Sequence, residues 1–474
     1  MIKDKTKFYY LLLDKFPFTA TLSQERLLKS LSNFSFDCNK NKLFLLKGYA
    51  GTGKTTTISA FVNNLGQVGM KSVLLAPTGR AAKVIANYSK KPAFTIHKKI
   101  YLSKKAKGGN VDFVLKPNKH TNSIFIVDEA SMIPDTPSKS NFFENGSLLQ
   151  DLISYIYSGT NCKLILIGDT AQLPPVKLDL SPALNENTLT YDFGKDVTTI
   201  ELDEVMRQHK DSGILTNATE IRTIISEYYK GIGFQFQLNF PDISRLIDGY
   251  DIENAIHESY TKYGIEDTAI IVRSNKRANQ YNQQIRYKIR SQENEISVGD
   301  FIMVVKNNYY WLNESDAANF IANGDICEIM YIKTYKELYN FQFAEVTVRM
   351  IDYPNQKPFD TVVLLNTLTS ETPSLSYEES HKLYTEISKD YAHLPKYKQF
   401  QEIKKNKYFN ALQIKFSYAM TCHKSQGGQW NTIFIEQPYL PDGTSLSYYR
   451  WLYTAITRAQ EKLFLIGFSD DFFR

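Results

Sequence analysis

One stretch of the sequence carries a glycine-rich loop of the type that binds phosphate groups. Its pattern is G-x-x-x-x-G-K-T, and it lies between a short apolar run at 43–46 and a predicted helix at 56–65. Glycines let backbone N–H groups approach an anion at the positive end of a helix. The lysine adds a charge for the β- and γ-phosphates of a nucleoside triphosphate, and the final threonine is a ligand for Mg²⁺. The predicted nucleotide-binding residues of this loop are Gly48, Gly51, Thr52, Gly53, Lys54, Thr55 and Thr56.

Two carboxylates follow another buried strand of the predicted sheet. The apolar run 123–127 ends in Asp128 and Glu129. One carboxylate in this position can hold Mg²⁺, and the next can polarise the water that attacks a phosphate. A chance pair of acidic residues after an apolar strand is the alternative, and the phosphate loop upstream argues against it. We therefore predict Asp128 as a metal ligand and Glu129 as a catalytic residue.

Two further apolar strands, 71–76 and 163–167, also lead into polar side chains. The first is followed by Thr78 and Arg80, and the second by a loop that contains Gln172. In open α/β sheets, functional groups gather beyond the carboxyl ends of the strands. The amide of Gln172 is therefore predicted to lie near the carboxylates and to sense the γ-phosphate.

The region before the phosphate loop contains one candidate for recognition of the base. Residues 1–20 are predicted to form a loosely structured lead-in or a short helix. Gln24 then follows a serine cap on a predicted helix, and its amide could bond both edges of an adenine. A surface glutamine on a capped helix is the alternative.

The segment 103–122 differs from its surroundings because it is polar, basic and interrupted by Gly108-Gly109. Two short arms around the glycines could form a hairpin that projects from the sheet. A disordered basic loop is the competing interpretation.

The second half of the chain returns to an α/β pattern after a different region. Short β-like segments fill 298–366 and predict a small barrel, and 375–410 reads as helical and densely charged. Arg207 lies in an otherwise acidic stretch, and Arg458 is predicted to lie on a helix. Guanidinium groups brought to a γ-phosphate neutralise charge during phosphoryl transfer, although a surface salt bridge is the ordinary role of a single arginine.

The composition restricts the classes of protein to consider. The chain has 474 residues and a formal net charge of +6, which permits a polyanionic partner without requiring one. Its four cysteines form no C-x-x-C pair, so we expect reduced thiols rather than zinc ligands or disulfides. The sequence has neither a signal-peptide pattern nor an apolar run of membrane-spanning length, and we expect a cytoplasmic protein with no membrane partner.

The motifs together resemble the superfamily 1 helicases, specifically the 1B branch of the RecD/Dda type. The resemblance spans about residues 23–466 and depends on an ordered series: Gln24, GYAGTGKT, APTGRAA, TIH, VDEASM, GDTAQLPPV, VMRQ, SYAMTCHKSQGGQW and YTAITRA. It implies an ATP-dependent DNA helicase with Mg²⁺ that translocates 5′ to 3′ on single-stranded DNA and separates strands at single-strand/duplex junctions. The settings it implies are DNA replication, repair and recombination.

The resemblance also implies roles for individual residues. Gln24 would contact adenine, Gly427 would help bind the nucleotide, Thr55 and Asp128 would serve the metal, and Gln172 would couple nucleotide state to DNA. The implied catalytic residues are Lys54, Asp128, Glu129, Gln172, and the arginine fingers Arg207 and Arg458. The implied DNA-binding residues are Pro77, Thr78, Arg80, Thr95, His97, Phe113, Thr421, His423 and Ser425.

The expected fold is α/β, with two RecA-like parallel-sheet P-loop NTPase domains. The first domain would span 1–199, with a strand-separating pin hairpin inserted at about 101–122. The second would combine 200–297 with 411–474, around an SH3-like β-barrel insertion at 298–410 whose helical extension covers about 375–410.

Some features of function stay open at this level. An RNA helicase fits the same motifs, as does a single-strand translocase or nucleoprotein remodeller that does not unwind. A P-loop ATPase unrelated to nucleic acid is a further alternative. We expect a monomer, whose partners would include single-strand-binding, replication or recombination proteins.

Overall fold

The structure is a computed structural model that describes residues 1–105, 111–135, 147–204, 212–228, 231, 233–312 and 320–474, with only the backbone described at 103–105 and 111–113. The chain divides into two compact units. The first comprises Met1–Phe234 and Thr444–Thr457, and the second comprises Gln235–Gly443 and Arg458–Arg474.

The first unit is built on a parallel sheet of six strands in the order β3-β2-β6-β7-β1-β8. Its strands and the hairpin strands β4 and β5 are β1 (Lys42–Gly48), β2 (Lys71–Ala76), β3 (Ala93–Thr95), β4 (Tyr101–Lys105), β5 (Val111–Leu115), β6 (Thr121–Val127), β7 (Thr160–Gly168) and β8 (Asp196–Leu202). Its helices are α1 (Lys5–Asp14), α2 (Leu22–Phe36), α3 (Lys54–Asn64), α4 (Gly79–Ser89), α5 (Ile96–Ile100), α6 (Leu148–Tyr157) and α7 (Gly213–Ser226). The four strands predicted from apolar runs all lie in this sheet.

The two faces of this sheet carry separate cores because side chains alternate along each strand. On β1, Phe44 and Leu46 pack in the core beneath α1, α2 and α3. Leu43 and Leu45 pack in the core on the other face, with residues of α5 and α6. Burial on both faces explains why these strands read as continuous apolar runs rather than as alternating patterns.

The N-terminal segment is a helix that belongs to the core. In α1, Phe8 and Leu12 are fully buried, and Phe16 beyond the helix is buried with them. The short-helix prediction for this region is therefore confirmed, and the loosely structured alternative is wrong.

The basic segment after α5 forms an antiparallel two-stranded hairpin. Its strands β4 and β5 pair from Tyr101 opposite Leu115 to Lys105 opposite Val111. The hairpin prediction is confirmed for the described backbone, while the predicted glycine turn lies outside the described residues.

The second unit contains a parallel sheet in the order β16-β10-β17-β18-β9 and a closed barrel of β11 to β15. The strands are β9 (Ile243–Leu246), β10 (Thr268–Val272), β11 (Phe301–Val304), β12 (Ile326–Leu338), β13 (Phe341–Met350), β14 (Phe359–Leu364), β15 (Leu412–Phe416), β16 (Ala419–Thr421), β17 (Trp430–Glu436) and β18 (Ala459–Ile466). The helices are α8 (Gly249–Tyr263), α9 (Asn275–Gln284), α10 (Asn366–Thr369), α11 (Tyr377–Asp390), α12 (Lys396–Lys405) and α13 (Cys422–Ser425). The predicted α/β fold, with two parallel sheets, a hairpin and a small barrel, is confirmed.

The charged helical segment packs against the barrel through a narrow apolar stripe. Leu383 and Ile387 of α11 and Ile403 of α12 are buried with Phe343 and Leu364 of the barrel. The remaining positions of these helices are mostly exposed and charged, which is the pattern of an amphipathic surface helix.

The segment Thr444–Thr457 returns to the first unit and contains α14 (Leu446–Ile456), which packs against α7. Eight of its eleven residues are buried. The helix ends where the Thr457 hydroxyl donates a hydrogen bond to the Tyr453 carbonyl, at 2.8 Å. Arg458 therefore lies beyond the helix, immediately before β18, and its predicted helical position is wrong.

The predicted domain boundaries stay a prediction.

Within the described ranges, no helix combines the length and the apolar character that crossing a lipid bilayer requires.

A buried ion pair connects the second unit's α/β layer to the start of its barrel. The Arg286 guanidinium lies 3.0 Å from the Asp300 carboxylate, and the two side chains are only 7% and 0% exposed. Asp300 also accepts hydrogen bonds from the Tyr418 hydroxyl at 2.8 Å and from the Ser297 N–H at 2.7 Å. Breaking one partner of such a pair leaves an uncompensated buried charge.

Asp300→Asn is therefore expected to destabilise the second unit by about 3–5 kcal/mol. The measurement is denaturant unfolding followed by circular dichroism. Glu328→Gln is the matched control because its ion pair with Arg349 is on the exposed side of the same barrel. The control should change stability by less than about 1 kcal/mol, and equal losses in both variants would contradict the prediction.

Candidate active site

The phosphate loop joins β1 to α3 and has the backbone that its glycines allow. Gly51 and Gly53 have φ angles of +76° and +79°, in the left-handed region that disfavours side chains. A Cβ atom on Gly48 would lie 2.9 Å from the Lys54 side chain. The loop therefore requires glycine at these positions, and Lys54 and Thr55 begin α3 at its N-terminal end.

Lys54 folds back over the loop that precedes it. Its Nζ donates to the Gly48 and Tyr49 carbonyl oxygens, at 2.7 Å each. These contacts hold the ammonium group inside the loop, where it can exchange carbonyl partners for phosphate oxygens.

The two predicted carboxylates lie at the carboxyl end of β6. Burial raises the pKa of the Asp128 carboxyl, while the Glu129 N–H and the charge of Lys54 act in the opposite direction. The Glu129 N–H donates to Asp128 Oδ1 at 2.9 Å, and Glu129 has a left-handed φ of +53°. The two carboxylates therefore lie on a backbone turn immediately after the strand.

Thr55 and Asp128 fit the predicted Mg²⁺ site by their chemistry. Mg²⁺ prefers oxygen ligands and keeps several waters, so one hydroxyl and one carboxylate are a sufficient protein contribution. A cation there would offset the burial that raises the pKa of Asp128. In the described part of the chain, no cluster of three or more His, Cys, Asp or Glu residues forms a metal site of another type.

Gln24 is a buried residue that connects α2 to the phosphate loop. Its side chain is 1% exposed, and its Nε2 donates to the Thr52 carbonyl at 3.2 Å. Its Oε1 accepts the Thr21 N–H at 3.1 Å, and together with the Thr21 hydroxyl it forms a capping box. The surface-glutamine alternative is wrong, and adenine recognition stays a prediction.

Gln172 lies in the loop after β7, beside a cavity of about 540 Å³ in the first unit. The cavity lining also includes Ser131 and Asp169. Among the described residues, the buried Gln172 Oε1 and Ser131 Oγ have no hydrogen-bond partner. An unpartnered amide oxygen beside a cavity is available to a further polar group, and the predicted role of Gln172 in sensing the γ-phosphate stays a prediction.

Two residues of this site were missed from the sequence. Asp169 is 1% exposed and Tyr453 of α14 is 1% exposed. The Tyr453 hydroxyl donates to Asp169 Oδ2 at 2.7 Å and accepts the Ala50 N–H of the phosphate loop at 3.0 Å. Asp169 directly follows a strand end, as Asp128 does, and that position was a usable signal.

The predicted DNA-binding residues of the first unit include two helix caps. The Thr78 hydroxyl accepts the Ala81 N–H at 3.2 Å, and the Thr95 hydroxyl accepts the Lys98 N–H at 3.3 Å. Burial lowers the pKa of His97, which favours the neutral imidazole. Pro77 lies two residues before α4, Arg80 is the second residue of that helix, and only the backbone of Phe113 is described.

The corresponding residues of the second unit surround α13. Thr421 precedes this helix, and the Ser425 hydroxyl donates to the Cys422 carbonyl at 2.8 Å. Burial, followed by the charge of Arg273, lowers the pKa of His423. Gly427 has a φ of +73°, which requires glycine-like freedom just after the helix.

Of the two predicted arginine fingers, the structure describes only Arg458. Arg207 lies outside the described residues. Arg458 is 4% exposed, and its Nη1 donates to the Gly428 carbonyl at 3.2 Å. A buried guanidinium on a backbone carbonyl has a fixed position, and its role as a finger stays a prediction.

Comparison with known proteins adds to this geometry. Residues 35–224 match the family described as AAA domain, and residues 416–466 match the UvrD-like helicase C-terminal domain. The ATP-dependent DNA helicase dda of Enterobacteria phage T4 is 24% identical over 449 residues, which cover 89% of this chain and 93% of that protein. The RecBCD enzyme subunit RecD of Buchnera aphidicola is 23% identical over 487 residues, which cover 92% of this chain and 72% of that subunit.

The chain is an ATP-dependent DNA helicase, and it is similar along most of its length to helicases of the RecD/Dda type. The AAA match contains the phosphate loop and both carboxylates of this helicase, and the C-terminal match contains α13 and Arg458. A solved structure of a Bacteroides Pif1 helicase with ADP-AlF3 and single-stranded DNA aligns over 96% of this helicase and 94% of that chain, with a TM-score of 0.49 and 14% identity.

Proposed function

We propose that this helicase uses ATP and Mg²⁺ to move 5′ to 3′ along single-stranded DNA and to separate a duplex ahead of it. The observation that carries the proposal is the meeting of three groups at one sheet edge. The phosphate loop follows β1, Gln172 follows β7 and the carboxylates follow β6, and these strands are neighbours in the order β6-β7-β1. The carboxyl edge of a parallel sheet is where such groups act together.

The proposed chemistry assigns one task to each group. Lys54 and the loop N–H groups bind the phosphates, and Glu129 polarises the attacking water. Mg²⁺ held by Thr55 and Asp128 would neutralise charge on the phosphate oxygens. Arg207 and Arg458 are proposed to add positive charge as the γ-phosphoryl group transfers.

The proposed movement follows from the loss of that γ-phosphate. Bound ATP would keep the two RecA-like domains closed against each other, and hydrolysis would remove the contacts that keep them closed. The two domains would then bind the DNA strand alternately as they close and open. The hold must use phosphate contacts and base stacking because a motor cannot depend on sequence. Binding should consequently weaken steeply with salt.

One further feature, the β4–β5 hairpin, supports strand separation. The hairpin lies between the TIH and VDEASM motifs of the sequence, and we propose it as the element that separates the strands. We further propose that the helicase works as a monomer in the cytoplasm, where it would meet single-strand-binding and recombination proteins.

The deciding experiment compares two partial duplexes under single-turnover conditions, one with a 5′ single-stranded tail and one with a 3′ tail. We expect ATP-dependent opening of the 5′-tailed DNA alone, because the RecD/Dda branch moves in that direction. Opening of the 3′-tailed DNA alone would contradict the direction. DNA-stimulated hydrolysis without opening of either would instead indicate a translocase or remodeller.

The same assay shows whether the helicase moves along single-stranded DNA or along single-stranded RNA. A 5′ tail of RNA on a DNA duplex presents 2′-hydroxyl groups along an otherwise matched path. Faster opening with the RNA tail than with the DNA tail would favour the RNA-helicase alternative.

A further inference from the structure

Helix α14 contacts both the phosphate loop and the loop that contains Gln172. Tyr453 lies between a loop N–H and a buried carboxylate, because its oxygen accepts from Ala50 and its proton is donated to Asp169. The Ala50 N–H belongs to the turn whose backbone donors bind phosphate in this class of loop. If phosphate binding alters the hydrogen bond of the Ala50 N–H, the hydrogen bond from the same tyrosine oxygen to Asp169 is altered as well.

Asp169 and α14 also fix the backbone on both sides of Gln172. Asp169 Oδ1 accepts the Ala171 N–H at 2.9 Å. The hydroxyl of Thr454, which follows Tyr453, accepts the Leu173 N–H at 2.9 Å. The residues before and after Gln172 are thus both bonded to this network, while its own Oε1 faces no partner among the described residues.

We propose that Tyr453 and Asp169 are positioning residues, which hold Gln172 in the arrangement that ATP hydrolysis requires and link that arrangement to the phosphate loop. The inference rests on the proposed function, since it concerns the same ATP site. It assigns α14 a role in the chemistry that is separate from the proposed role of Arg458. Because a hydrogen bond to a charged group is strong and Gln172 acts in the transition state, the loss should appear in kcat more than in KM.

Tyr453→Phe tests this role because it removes one oxygen and keeps the ring that packs in the core. We expect kcat for ATP hydrolysis to fall about 10- to 100-fold, with KM for ATP changed less than about twofold. Asp169→Asn should give a similar loss, and the double variant should lose less than the product of the two single losses. ATP hydrolysis is measured with and without single-stranded DNA.

Tyr449→Phe is the matched control on the same helix. Tyr449 is also buried, but its hydroxyl bonds to the Thr444 side chain at 2.9 Å, away from the network. Its kcat should stay within about twofold of the wild type. If the loss of a buried hydroxyl has only a structural effect, both tyrosine variants should be less stable. The changes in kcat and KM of Tyr453→Phe should then match those of Tyr449→Phe, and that result would contradict the positioning role.

Thr454 offers an independent test if Tyr453→Phe fails to fold. Thr454→Val removes the acceptor of the Leu173 N–H at constant shape, whereas Thr454→Ser retains it. We expect a kcat loss with valine and recovery with serine.

A Tyr453→Phe enzyme with wild-type kcat would overturn the inference and leave the proposed function intact. If DNA does not stimulate ATP hydrolysis by the wild type, that result would count against the proposed function. The ratio of the DNA-free kcat values of Tyr453→Phe and the wild type would still decide the inference. A wild-type chain without any ATP hydrolysis would overturn both.

Discussion

Glu129→Gln is expected to slow ATP hydrolysis by about 10³-fold while ATP binding is retained. The variant keeps the size and hydrogen-bonding reach of the side chain but cannot take part in polarising the attacking water. Lys54, the loop N–H groups and Asp128 are unchanged, so the nucleotide site keeps its binding contacts. The variant should therefore accumulate in an ATP-bound state.

Single-turnover hydrolysis and equilibrium binding of a fluorescent ATP analogue measure the two effects separately. Glu25→Gln is the control because it makes the same chemical change in the first turn of α2. The control should keep both properties within about twofold. Hydrolysis by Glu129→Gln at a rate within tenfold of the wild type would assign the water-activating role to another group.

Lys54→Ala is expected to abolish duplex opening and to lower ATP hydrolysis by at least about 10³-fold. The substitution removes the charge that the phosphates require. It also removes the donor that the Gly48 and Tyr49 carbonyls share, so the loop loses these two internal hydrogen bonds. Unlike Glu129→Gln, this variant should lose ATP affinity together with hydrolysis.

Lys42→Ala is the matched control for Lys54→Ala. Lys42 starts the same strand, but its ammonium group pairs with Asp196 at 3.0 Å, at the opposite end from the phosphate loop. The control should unwind at the wild-type rate, since a partly exposed ion pair contributes less than about 1 kcal/mol to stability. Retained ATP affinity in Lys54→Ala would contradict the proposed phosphate contact.

The sequence was most informative where local chemistry decides the structure. Four continuous apolar runs predicted strands of the first sheet, because strands buried on both faces have no polar alternation. The glycine pattern predicted the phosphate loop because Gly51 and Gly53 need left-handed backbone angles. Both signals are contained within a few neighbouring residues.

The contacts that the sequence did not predict join residues far apart in the chain. Tyr453 and Asp169 are 284 positions apart, and only the packing of α14 in the first unit brings them together. The barrel strand β15 was likewise missed. Its partners β11 and β14 lie before the helical segment 375–410 in the sequence, whereas β15 follows that segment. The end of α14 was misplaced because no glycine or proline follows Ile456 to mark the end of the helix in the sequence.

The placement of α14 also limits how this chain can be divided or shortened. A polypeptide that stops at Phe234 contains every strand of the first sheet but lacks the helix that completes the unit. It would leave exposed the surface that Tyr448, Trp451 and Leu452 cover, and exposed apolar surface of this kind promotes aggregation. During synthesis the first unit likewise stays incomplete until residues 444–457 have left the ribosome, so its folding must wait for them.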